Sequence, residues 1–215
     1  MNPTHHPAMP LIWYFDFISP YAYLQFTAHP VLFAREGVTL RPVVFAGLLK
    51  HWGHKGPVEI PAKRIQTYRQ AVWIARERGV TLKCPPAHPF NPIPTLRLAT
   101  ALGATHHVVS TIFNFIWRDG RSVDDEWHAL CSLLDVTNAD ELINASVVKQ
   151  TLRIYGEAAI AAGVFGVPTF SAGGELFWGE DATPMLRAYL ADRTIFDSAE
   201  MRRISFLPAA AERKA

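Results

Sequence analysis

Three short stretches set chemistry-bearing residues beside structure-breaking ones. In WYFDFISPYAYL, residues 13–24, an aromatic run stops at Ile18 and Ser19-Pro20 follows. Proline suits the first position of a helix, where its missing N–H is not needed, so Ser19 falls at the N-cap. Its hydroxyl then lies beside free backbone N–H groups and the positive end of the helix dipole. A thiolate placed there would be stabilised by both, although an ordinary cap accounts for the same residues. The second stretch is GVFGVPTF, residues 163–170. Val167-Pro168 precedes a strand, where proline is tolerated for lack of a donor. A cis bond there would turn the N–H and C=O of Val167 outward, free to pair with an extended peptide. The third is FWGEDATPML, residues 177–186, in which Glu180 and Asp181 either bind a ligand ammonium or cap the helix that follows.

These residues need elements to position them. LIWYFDFI (11–18) reads as a strand buried on both faces. Residues 20–36 carry helical spacing with a break or kink expected at Pro30, and Gly37 stops the run. VTLRPVVF (38–45) is a second strand, which makes a right-handed βαβ unit with a parallel pair. After a loop around 51–57, helices are expected over 61–78, 94–102, 106–118, 124–134 and about 147–163. A cap-like Thr137 leads into ADELINAS, and the proline-rich 81–94 is an irregular loop. PTFSA and ELFWG (168–172 and 175–179) flank Gly173-Gly174 as a hairpin, and a last helix covers 181–192 with Asp181 as its cap or first-turn acid. This order predicts an α/β protein, a thioredoxin-like fold with a large all-helical insertion domain. Residues 11–47 and 164–193 form the thioredoxin-like part, 48–163 the insertion, and 1–10 and 194–215 terminal extensions, the tail being given no role.

Composition narrows the classes. Twenty-one Lys and Arg against nineteen Asp and Glu, with interspersed signs, give no reason to expect nucleic acid or an acidic membrane surface. Cys84 and Cys131 form neither a CxxC pair nor a zinc-ligand spacing, so dithiol exchange and a metal site are unsupported. Two unpaired thiols fit a reducing compartment. The opening MNPTHHPAMP lacks the basic and apolar regions of a signal peptide, and no apolar run approaches the roughly 20 residues that span a bilayer. A cytoplasmic protein without membrane partners is expected.

DFISPYAYL, GVFGVPTF and FWGEDATPML, in that order, resemble the 2-hydroxychromene-2-carboxylate isomerases and the kappa-class glutathione transferases, two groups of the thioredoxin-fold, disulfide-oxidoreductase-like proteins. The resemblance runs from about residue 11 to about 190 and takes in PAK (61–63) and HPFNPIPTLRLA (88–99). It implies glutathione as cofactor, with its thiol held and activated by Ser19, where redox relatives keep their first active cysteine. It implies that Val167, followed by a cis Pro168, pairs with the cysteinyl part, and that Gly179, Glu180 and Asp181 hold the γ-glutamyl end. Relatives often carry an arginine after that aspartate; this chain has Ala182. On the substrate side it points to Lys50 or His51 and to His88 and Asn91. Each of these also has a structural reading, as a surface charge, a backbone-bonded loop histidine or a turn residue. The implied activity is glutathione-dependent isomerisation of a small aromatic carboxylate by a homodimer. Kappa-type conjugation or peroxide reduction, and a non-catalytic thiol-binding protein, are the alternatives.

Overall fold

The computed structural model describes residues 9–209 and 211. The parts of the terminal extensions at 1–8, 210 and 212–215 lie outside the described residues. Four strands form one mixed sheet: β1 (Leu11–Phe15), β2 (Val38–Pro42), β3 (Thr169–Ala172) and β4 (Glu175–Trp178). Their order is β2-β1-β3-β4, with β1 parallel to β2 and antiparallel to β3, and β3 antiparallel to β4. Gly173 and Gly174 both adopt positive φ (59° and 93°), the backbone that a two-residue hairpin between β3 and β4 requires. The fold is thioredoxin-like, and a helical segment separates its two halves.

β1 is buried on both sides, as its composition implies. Trp13 and Phe15 face one side of the sheet, where they stack with centroids 4.6 Å apart. Phe17, Phe26, Phe33, Phe113 and Phe170 join the same core. Tyr14 faces the other side, with Val43, Leu48, Ala159 and Val164. Helix α1 (Pro20–Ala28) breaks before the short α2 (Pro30–Phe33), since Pro30 cannot donate to the ladder of the preceding turn. The later helices are α3 (Phe45–Trp52), α4 (Pro61–Glu77), α5 (Ile93–Ala101), α6 (His106–Phe113), α7 (Trp127–Leu133), α8 (Ala139–Asn144), α9 (Ser146–Ala161), α10 (Thr183–Ala191) and α11 (Ala199–Ile204).

Several elements differ from the sequence reading. β1 ends at Phe15 because Asp16 turns its side chain back onto the N–H of Ile18, closing an Asx-type turn before the helix. β2 ends at Pro42, and residues 45–52 form α3 where a strand end and a loop were expected, so the boundary drawn after 47 falls inside a helix. The helix expected over 106–118 changes to a π turn at Asn114–Arg118. Residues 193–196 and 199–204 of the tail are short helices, the second capped by Ser198 Oγ on Met201 N–H.

Candidate functional site

The sheet pairing sets the site. Tyr14 of β1 lies opposite Thr169 of β3, so Ser19, beyond the end of β1, and Pro168, just before β3, emerge at the same edge. Ser19 is the N-cap of α1, 8% exposed, and its Oγ accepts from the N–H of Ala22 at 3.2 Å. Its hydroxyl proton is committed to no other group among the described residues. The Val167–Pro168 bond is cis. Neither the N–H nor the C=O of Val167 makes a hydrogen bond among the described residues, whereas the neighbouring Pro168 C=O accepts from Gly179 N–H at 2.8 Å.

A cleft of about 190 Å³ opens along this edge, lined by Val167, Pro168, Gly179, Glu180 and Asp181, with Tyr21 of α1 and Gln70 of α4 opposite. The Tyr21 hydroxyl donates to Gln70 Oε1 at 3.0 Å, which ties the two walls together. Gly179 adopts φ +92°, a backbone that L side chains rarely take, so glycine is required there. Its carbonyl accepts from Gln25 Nε2 at 3.1 Å. Gln25 also donates to Thr183 Oγ1 and accepts from Trp13 Nε1, which fastens this corner to the core.

The two carboxylates of the third motif part company. Glu180 is 3% exposed and forms an ion pair with Arg78, at the end of α4, without the alignment of a hydrogen bond. His29 Nε2 stands 3.8 Å from the same Oε1. Burial, then the guanidiniums of Arg187 and Arg78, hold the His29 pKa down at about 4, so it is neutral at pH 7. Both ring nitrogens face guanidiniums, Nδ1 at 3.1 Å from Arg187 and Nε2 at 3.3 Å from Arg78, and a neutral ring accepts through one of them. Asp181 is exposed and faces the cleft. Burial and then the charge of Asp181 raise the pKa of Tyr21. Asp181 is not the cap of α10: Ala182 occupies that position without a side-chain bond, because the helix starts at Thr183-Pro184, two residues later than expected.

The turn that delivers Ser19 is held at consecutive residues by the helical segment. Trp117, swung inward by the π turn, donates from Nε1 to Phe17 C=O at 2.8 Å. His88 Nε2 bonds Ile18 C=O at 2.8 Å, and Tyr68 hydroxyl lies 2.8 Å from His88 Nδ1. Burial lowers the His88 pKa against the raising effect of the Ile18 bond, so the neutral ring donates through Nε2. Asn91 Oδ1 accepts from Ile93 N–H at the start of α5. Lys50 and His51 lie exposed in the last turn of α3, where cations suit the dipole, and they do not line the Val167 cleft. The structure therefore gathers Val167, Pro168, Gly179, Glu180 and Asp181, with Ser19 at the same sheet edge. It keeps Lys50, His51 and Asn91 outside that group and sets His88 behind the serine.

Asp16 escaped notice in the sequence; its one signal is a charge inside an otherwise apolar run. The carboxyl is 1% exposed and accepts from Ile18 N–H at 3.1 Å and from Phe45 N–H at 2.9 Å, joining the serine turn to α3. Desolvation outweighs these bonds and raises its pKa to about 7. A folded-state pKa above the unfolded one means that stability falls as pH rises from about 4 through about 7. Asp16→Asn removes the ionisation, so the stability gap between wild type and variant narrows between pH 5 and pH 8, by about 2–3 kcal/mol. Denaturant midpoints at the two pH values measure this, and a constant or widening gap contradicts it.

The DSBA-like thioredoxin domain pattern matches residues 11–191 of the chain. The chain belongs to that family. Among curated proteins, this DSBA-like chain is 28% identical to a 2-hydroxychromene-2-carboxylate isomerase of Pseudomonas sp. (strain C18), over 81% of this chain and 86% of the relative. It is 25% identical to glutathione S-transferase kappa 2 of Caenorhabditis elegans, over 84% and 91%. A solved structure of 2-hydroxychromene-2-carboxylate isomerase matches the fold with a TM-score of 0.75 at 23% identity, covering 90% of this chain and 99% of that one. The DSBA-like fold is thus used here with serine, and without a CxxC pair, at the start of α1. Cys84 is exposed and Cys131 buried, both free. No helix among the described residues is long and apolar enough to cross a membrane, and none of their His, Cys, Asp and Glu side chains group to hold a metal.

Proposed function

We propose that the protein is a glutathione-dependent isomerase of aromatic carboxylates of the 2-hydroxychromene-2-carboxylate type. The observation that carries the reading is the unpaired N–H and C=O of Val167 at the same edge as the Ser19 hydroxyl. An unpaired donor and acceptor spaced as in a strand take the backbone of an extended peptide, which is what the cysteinyl residue of glutathione offers. Similarity to relatives named as isomerases and as a kappa transferase supports the same ligand.

Bound glutathione would supply a thiolate that adds to a conjugated carbon and is later expelled, freeing rotation about a former double bond. Ser19 donates its hydroxyl proton to the sulfur, while the start of α1 favours negative charge there. Val167 fixes the extended main chain through its N–H and C=O. Asp181, exposed on the cleft, pairs with the ammonium end; Glu180 is already paired with Arg78 and holds the Gly179–Asp181 corner. His88 is a positioning residue that acts through Ile18 C=O, and Asn91 fixes the start of α5. Lys50 or His51 is the group proposed to meet the substrate carboxylate. The protein's share of catalysis is positioning and thiolate stabilisation. The reading includes a homodimer working in the cytoplasm.

A substrate panel tests this. Incubation with glutathione is expected to isomerise a 2-hydroxychromene-2-carboxylate into a product that contains no glutathione. Stable glutathione adducts from aryl halides, with no isomerisation, would assign kappa-type transfer instead. Glutathione binding without turnover of either would leave a thiol-binding protein.

A further inference from the structure

A second cavity, of about 350 Å³, lies between α3, α5 and α9 and shares no lining residue with the Val167 cleft. Leu48, Leu152 and Ile160 give it an apolar wall. Three cations, Arg97, Lys149 and Arg153, line it against one carboxylate, Glu157. Arg153 and Glu157 neutralise each other at 2.6 Å, which leaves Arg97 and Lys149 uncompensated by the lining residues. The Nε of Arg97 is buried and has no hydrogen-bond partner among the described residues. A buried donor left unmade destabilises the protein unless something else accepts from it.

Two glycines set the shape of this space. Gly47 lies in α3 and Gly156 in α9, and both line the cavity. Neither has a positive φ, and a Cβ built on either meets nothing within 4 Å. Glycine inside a helix is less stable than alanine, and here neither backbone conformation nor close packing within the chain demands it. What the two glycines preserve is empty volume in the cavity that Arg97 also lines, whose Nε lacks a partner.

We propose that this cavity binds an amphipathic organic monocarboxylate, with its apolar body over Gly47 and Gly156 and its carboxylate on Arg97 and Lys149. A planar aromatic acid matches the combination of apolar wall, glycine floor and paired cations; a guanidinium fork takes a carboxylate better than a neutral hydroxyl. The site is separate from Ser19 and does not depend on glutathione.

Calorimetric titration with 2-naphthoate, with 2-naphthol as the uncharged control, tests it. Naphthoate binds, and naphthol binds about tenfold more weakly or not at all. Arg97→Gln weakens naphthoate about tenfold, and Gly156→Leu abolishes its binding; both leave the response to glutathione unchanged. Gly156→Ala, which keeps the proposal testable if leucine disrupts folding, raises Tm by about 2–4 °C while weakening naphthoate. Equal affinity for naphthoate and naphthol, or naphthoate binding that survives Arg97→Gln and the glycine variants, overturns the proposal. So does competition with glutathione alone. A change of oligomeric state in the glycine variants without loss of naphthoate binding also overturns it and makes the glycine face a contact between chains.

Discussion

Ser19→Ala lowers glutathione-dependent turnover by about 10²–10³-fold, the usual cost of removing one donor aimed at a developing or resident negative charge. The same change deletes the cap on Ala22 N–H, which costs about 1 kcal/mol of stability and leaves the fold intact. Two readouts separate the roles. A lost cap lowers Tm and leaves the ionisation of bound thiol unchanged. A lost thiolate donor raises the pKa of bound glutathione, followed through its thiolate absorbance. The variant is expected to show both, and normal turnover in it would remove Ser19 from the chemistry.

The second large effect is on stability. Arg78→Ala leaves the Glu180 carboxylate, 3% exposed, without its ion-pair partner, with His29 Nε2 3.8 Å away. Breaking a buried pair from one side costs about 3–5 kcal/mol; because Arg78 is itself one-third exposed, the low end applies. For a chain of this size that is a drop in Tm of roughly 5–10 °C. Removing Arg78 also lifts one of the charges that hold the His29 pKa down, so in acid the ring takes up a proton beside Glu180 more readily, and the deficit of the variant shrinks as pH falls. Thermal melts of wild type and variant at pH 5 and pH 8 measure it. Glutathione affinity falls with it, because Glu180 sits between Gly179 and Asp181 of the cleft. A deficit that is equal at both pH values contradicts the ion-pair account.

What could be read from the sequence was local. Ser19-Pro20 announced a capped helix start, and Gly173-Gly174 announced a hairpin, because in each case adjacent residues decide the backbone. The break at Pro30 was legible for the same reason. Helix α3 was not: it is eight residues long and follows the apolar VTLRPVV with no glycine or capping side chain at its start, so the strand reading ran on into it. Its start is fixed by Asp16, twenty-nine positions away. Nor was the division of labour between Glu180 and Asp181, since Arg78 and His29 reach Glu180 from other elements. Asp181 read as a cap or first-turn acid of α10, but Thr183-Pro184 set the start of that helix two residues later. The substrate side was the least legible: Lys50 and His51 end α3 while His88 and Asn91 lie in the proline-rich loop, two regions whose approach depends on the packing of the helical segment.

The most direct measurement is a crystal structure with glutathione bound. The account predicts its sulfur within hydrogen-bond distance of Ser19 Oγ, its cysteinyl main chain paired with the N–H and C=O of Val167, and its ammonium end at Asp181. Glutathione found elsewhere, or with its sulfur turned away from Ser19, would contradict it.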